Sequence, residues 1–160
     1  MHASNARART PASGFTLIEL VIAMLIVAIL ASVALSSYTS YIARARRADA
    51  RTQLLQVAQF MQTFYAANDS FLQDRAANAV FSQISPALLQ SPADATKIYE
   101  LVIPSATLTD SSFEIRMAPV TGGQMIADQC GTFTLTSTGL RGVLIGSGVG
   151  GTALRDTCWR

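Results

Sequence analysis

From Leu20 to Ala43 the chain carries no charged residue, and from Leu20 to Leu35 every position except Ser32 is apolar. An apolar run of this length, free of Gly and Pro, predicts a helix of about 20 residues able to span a hydrocarbon layer. Half of all residues are apolar and only 14% are charged. That apolar share is concentrated in this one stretch, and the remainder has the composition of a soluble domain. A length of 160 residues suits one small domain plus an added element.

The segment before the run decides how it is used. Met1 to Gly14 is polar, carries Arg7 and Arg9, and has Pro11, Ser13 and Gly14 near its end. A conventional secretory signal would instead be cut after the apolar stretch, and Ala31-Ser32-Val33-Ala34 offers such a site. Glu19 argues against that reading. Glu19 lies inside the apolar segment, where a carboxylate costs roughly 2.5–3.5 kcal/mol on insertion scales, so it needs a role. Charge does not orient the span, because Arg7 and Arg9 precede it while Arg44, Arg46 and Arg47 follow it.

Gly14-Phe15-Thr16-Leu17-Ile18-Glu19-Leu20 is the most informative string in the chain. With the short basic leader before it and the uncharged helix after it, it resembles the prepilin signature of type IV pilins and type II secretion pseudopilins. The resemblance covers residues 7 to 50 closely. It implies cleavage between Gly14 and Phe15 by a prepilin peptidase and methylation of the new N-terminus at Phe15. A glycine at the cut lets the backbone enter a tight active site. It also implies a role for Glu19 in subunit assembly, pairing with the N-terminal amine of a neighbouring subunit. A buried charge is tolerated when it is paired. Many major pilins have Gly at the position of Ala28 and Pro at that of Ser36, residues that weaken a helix. Ala28 and Ser36 imply a more continuous helix and fit a minor pilin better.

Beyond the span, Leu54, Val57, Ala58, Met61, Phe64 and Tyr65 recur at three- and four-residue intervals, predicting one apolar helix face against a sheet. Arg44, Arg46, Arg47, Asp49 and Arg51 precede this stripe. They read either as contacts for lipid headgroups and adjoining subunits or as a solvated basic collar. Asn68-Asp69-Ser70 ends the helical pattern, and residues 71 to 96, with Pro86 and Pro92, read as a connection holding one short helix. Strands are expected at Ile98 to Ile103, Phe113 to Met117 and Thr132 to Thr136, with turns at Gly122-Gly123 and Thr138-Gly139. Gly142 to Gly151 reads as a flexible surface loop, since it lacks the Lys-Ser/Thr ending of a phosphate loop.

Cys130 and Cys158 are the only cysteines. In an exported domain they are expected to form a disulfide, and in a cytosolic one they would be buried thiols. Cys130 leading into a threonine-rich strand, a Thr-Gly turn and a terminal Cys158-Trp159-Arg160 resemble PilE-like minor pilins and, equally, ComP-like minor pilins, which act as DNA receptors. Together the two resemblances imply an α+β type IV pilin fold. A long N-terminal helix, membrane-spanning in its first half, packs on a small antiparallel β-sheet with a C-terminal disulfide-bounded loop. The expected organisation is a leader over 1–14, a transmembrane and filament-core helix over 15–43, and a periplasmic or extracellular head over 44–160.

The function classes separate on charge and residue type. No catalytic site, cofactor or metal is expected, because the single histidine, His2, lies in the leader and no dinucleotide fingerprint or nucleophile elbow is present. From Asp69 onward six basic side chains stand against eight acidic ones, so the head is near −2. DNA binding calls for a basic footprint; a local one from Arg141, Arg155 and Arg160 is the sharper alternative but is not favoured. A pseudopilin with a C-terminal calcium site needs many oxygen ligands, and after Gly139 the only carboxylate is Asp156. The favoured reading is a minor pilin. It implies other pilins, the prepilin peptidase, the inner-membrane assembly platform and membrane lipid as partners. It implies a single-pass inner-membrane precursor with a periplasmic head, then a pilus at the cell surface.

Overall fold

The computed structural model describes residues 14–160, with Ser36 described in its backbone only. Most of the expected leader, including His2, Arg7 and Arg9, therefore lies outside the described residues. The chain forms two compact units, one through Ser40 and one over Tyr41–Arg160. Helix α1 is helical at every residue from Leu17 to Asn68. No Gly or Pro occurs between Leu17 and Asn68, so no residue within α1 breaks its hydrogen-bond ladder.

In the first unit the apolar side chains of α1 are exposed; Leu17, Leu25, Leu30 and Leu35 each keep more than half of their surface. Its most apolar window has a mean hydropathy of 2.8, and none of it is buried. A surface of this kind is stable only when lipid or other protein covers it.

The second unit is a six-stranded antiparallel sheet with α1 residues packed against it. The strands are β1 (Gln90–Ser91), β2 (Tyr99–Val102), β3 (Glu114–Pro119), β4 (Thr132–Thr136), β5 (Arg141–Ile145) and β6 (Gly148–Val149), each beside the next in sequence. A short helix α2 (Thr152–Cys158) follows. Cross-strand pairs Leu101↔Met117, Ile115↔Leu135, Met117↔Phe133 and Phe133↔Val143 put buried side chains on one face. Against them the helix buries Ala50, Leu54, Val57, Met61 and Phe64, the spacing expected of one helical face. Full burial of each large side chain contributes roughly 1.5–3 kcal/mol. Ala58 and Tyr65 pack at the margin of this core.

The connection after α1 holds two 3-10 turns, Val80–Gln83 and Pro86–Leu88, where one short helix was expected. Pro86 starts the second, since its fixed φ suits a first helical position. Phe71 fastens the connection to the core, stacking on Tyr65 at 4.5 Å and meeting Phe113 edge-on at 4.8 Å. Ahead of these turns Asp74 organises a tight loop. Its carboxylate accepts from the Ala76 and Asn78 amides and from the Asn78 and Gln83 side chains.

The glycine-rich stretch is more ordered than its composition suggests. Residues 142 to 151, expected as a surface loop, contain most of β5, all of β6 and the turn between them. At Gly142 the absent side chain is needed, because a Cβ there would lie 2.5 Å from the Thr134 hydroxyl. Glycine here permits close strand contact.

Candidate functional site

Two regions carry the residues singled out by the sequence. The first is the start of α1. Phe15 is 86% exposed and directly precedes the helix cap. Thr16 is that cap: its hydroxyl accepts from the Glu19 amide at 3.3 Å, while its own amide and hydroxyl donate to Glu19 Oε2 at 3.0 and 2.7 Å. This reciprocal pair is a capping box, which satisfies amides a helix start leaves without partners. The Thr-x-x-Glu spacing in the sequence is itself the signature of a capping box, so Glu19 has a helix-capping role beside its charge. The bonds from Thr16 fall on Oε2, and Oε1 keeps its lone pairs for a further donor.

The second region surrounds the disulfide. Cys130 and Cys158 are bonded, and both are buried. Arg47 forks onto Asp128, with Nε donating at 3.0 and 3.2 Å and Nη2 at 2.5 Å. Asp128 also accepts from the Cys130 amide. One turn along, Arg51 donates to the carbonyls of Cys158 and Arg160. Of the expected collar, then, Arg44 is exposed, whereas Arg47 and Arg51 are internal fasteners. Nothing local foretold this, because their partners lie 81 and 107 residues away. The Arg51 guanidinium is held below its ordinary value chiefly by burial, then by the charges of Arg47 and Arg141. Burial also pushes the Tyr99 phenol up, and the Asp128 charge adds to this. Tyr99 therefore stays neutral.

Trp159 closes the edge of the core. Its indole donates to the Gly142 carbonyl at 2.9 Å, its ring meets Phe133 edge-on at 5.8 Å, and the Arg141 guanidinium lies over it at 5.2 Å. Arg141 and Arg155 both line a groove of about 280 Å³ that also includes Thr134, Thr136, Thr152 and Glu114. Of the three arginines considered as a basic stripe, the fold brings Arg141 and Arg155 together. Arg160 is instead tied through its carbonyl to Arg51. Among the described residues no group of three or more His, Cys, Asp or Glu could hold a metal ion.

Residues 36–134 match a family model described as the type IV minor pilin ComP, DNA uptake sequence receptor. That is more than half of the chain. It belongs to the ComP family of type IV minor pilins. Residues 9–35 of this minor pilin match the prokaryotic N-terminal methylation motif. A solved type IV pilin from Shewanella oneidensis is 23% identical; the match covers 62% of this chain and 89% of that one, with a TM-score of 0.38. No curated protein matches the chain. Its long helix, antiparallel sheet and C-terminal disulfide make an α+β pilin fold. Membership carries a structural role, assembly into a pilus with other pilins. The apolar helix suits anchoring in a membrane before that assembly.

Proposed function

We propose that this minor pilin is cut between Gly14 and Phe15 by a prepilin peptidase, methylated at Phe15, and added to a growing pilus through Glu19. Before assembly its apolar helix holds it as a single-pass protein of the inner membrane, with the head in the periplasm and the assembly platform beside it. The observation that carries the reading is Glu19 itself, an acid in the first turn of α1, immediately before an uncharged, exposed apolar run from Leu20 to Leu35. Oε1 is open to a neighbour's methylated amine, and such a pair offsets the cost of placing a carboxylate among packed helices. A Glu19→Ala variant inserts in the membrane and accumulates there but is lost from sheared pili. Normal incorporation of that variant would sink the pairing. Retained cleavage of a bulky replacement at Gly14 would sink the proposed cut.

A second reading is that the head receives DNA. It is favoured by the description of the matched family as a DNA uptake sequence receptor. The groove shared by Arg141 and Arg155 supports it despite the acidic balance of the head. Salt-dependent binding of duplex DNA by the full chain tests it.

A further inference from the structure

We infer that Tyr41, Arg44 and Arg46 form a footing on anionic phospholipid, with the two guanidiniums on headgroup phosphates of the leaflet next to the head. The inference rests on the membrane-held precursor proposed above and deepens it by naming the lipid and the residues that meet it.

Position is the first argument. The uncharged run from Leu20 to Ala43 is longer than the roughly 20 helical residues a hydrocarbon core takes up. Its end, and the residues just after it, therefore reach the headgroup layer. Tyr41, 63% exposed, is of the residue type that settles there, with its ring against lipid and its hydroxyl in water. Arg44 and Arg46 follow directly. They leave α1 on roughly opposite sides, yet only about 3 Å apart along its axis. A spanning helix presents both to one layer of phosphates, and their long stems let the charged ends reach it.

Unspent charge is the second. Arg47 is neutralised by Asp128, and Arg51 is occupied by the carbonyls of Cys158 and Arg160. Among the described residues neither Arg44 nor Arg46 enters an ion pair. Arg44 is exposed and Arg46 is half-buried. Asp49, the acid nearest them in sequence, lies further from the apolar run and pairs with neither. Two cations without a counter-charge beside an apolar span complement an anionic surface better than a zwitterionic one. The guanidinium fork also matches the paired oxygens of a phosphate.

The test titrates the full chain, in neutral detergent, with phosphatidylglycerol and separately with phosphatidylcholine, and counts bound lipid by native mass spectrometry. Wild type prefers phosphatidylglycerol, and added salt weakens that preference. Arg44→Gln and Arg46→Gln each weaken phosphatidylglycerol binding about fivefold, the worth of one arginine near an anionic surface, and leave phosphatidylcholine unchanged. Arg44→Lys keeps most of the preference, and Arg75→Gln, an exposed charge far along the chain, keeps all of it. Because the Arg44 side chain is exposed, its variants do not rest on the packing of the head. Equal affinity for the two lipids, or unchanged phosphatidylglycerol binding in both glutamine variants, overturns the footing. Carbonate extraction of membranes separates the two readings: a chain that stays inserted but shows no preference loses the footing alone, whereas a chain that washes off loses the membrane-held precursor as well.

Discussion

Arg47 grips both carboxylate oxygens of Asp128 across 81 residues of sequence. Asp128 lies two residues before Cys130, and Arg51 holds the carbonyl of Cys158. Two arginines one turn apart on α1 thus fasten the chain on both sides of the disulfide.

The ion pair is nearly enclosed, with side chains 16% and 8% exposed. Removing one partner of such a pair leaves a stranded charge and costs about 3–5 kcal/mol. Arg47→Ala is expected to lose stability on that scale, while Arg47→Met combined with Asp128→Leu recovers most of it. Urea denaturation of the detergent-solubilised chain measures both. Equal losses in the single and double variants would contradict the account.

Replacing Cys130 and Cys158 by Ser reopens a loop with a sequence separation of 28. The chain-entropy model sets the loss at about 3–4 kcal/mol. Because Trp159 follows Cys158 directly, its fluorescence reports whether the edge of the core stays closed. Unchanged emission together with unchanged stability would show that the arginines suffice.

Thr16→Val keeps the shape of the cap but removes its hydroxyl, and cap loss costs about 1 kcal/mol. Glu19 then loses two of its three bonds to Thr16. Incorporation into sheared pili is expected to fall, though less than in Glu19→Ala, and Thr16→Ser restores it. Immunoblots of pili against membrane fractions supply the measure.

The Asp74 carboxyl is held below its ordinary value first by the Asn78 side chain, then by the Asn78 amide. Its folded value is depressed, so its contribution is present above the unfolded value of about 3.9 and is lost as pH falls through the folded one. The loop around residues 74–83 opens only in that acid window, and Asp74→Asn opens it at neutral pH. Amide exchange at Ala76 and Asn78 reads the difference.

Patterns with a short period were legible in the sequence. The apolar span, the stripe through Leu54, Val57, Met61 and Phe64, and the strand Thr132 to Thr136 all follow from spacing alone. Tertiary partners were not. Arg47 and Arg51 look like any basic collar until Asp128 and the Cys158 carbonyl are placed beside them. The glycines after Arg141 suggested looseness because composition hides which of them lets two strands approach. Here Gly142 faces Thr134.

The strand order carries a consequence for how the head is made. Each strand from β2 to β6 pairs with the one delivered just before it. Such ordering lets hairpins zip sequentially as the chain emerges, with little entropy lost to long loop closure at each step. The helix arrives first and waits longest: Arg47 has no counter-charge until Asp128 appears, and Arg51 none of its carbonyls until the final residues do. Residues 158–160 therefore act as a latch on the helix at Arg51. A subunit whose synthesis stalls before Cys158 presents an unsealed helix face to the quality-control machinery around it.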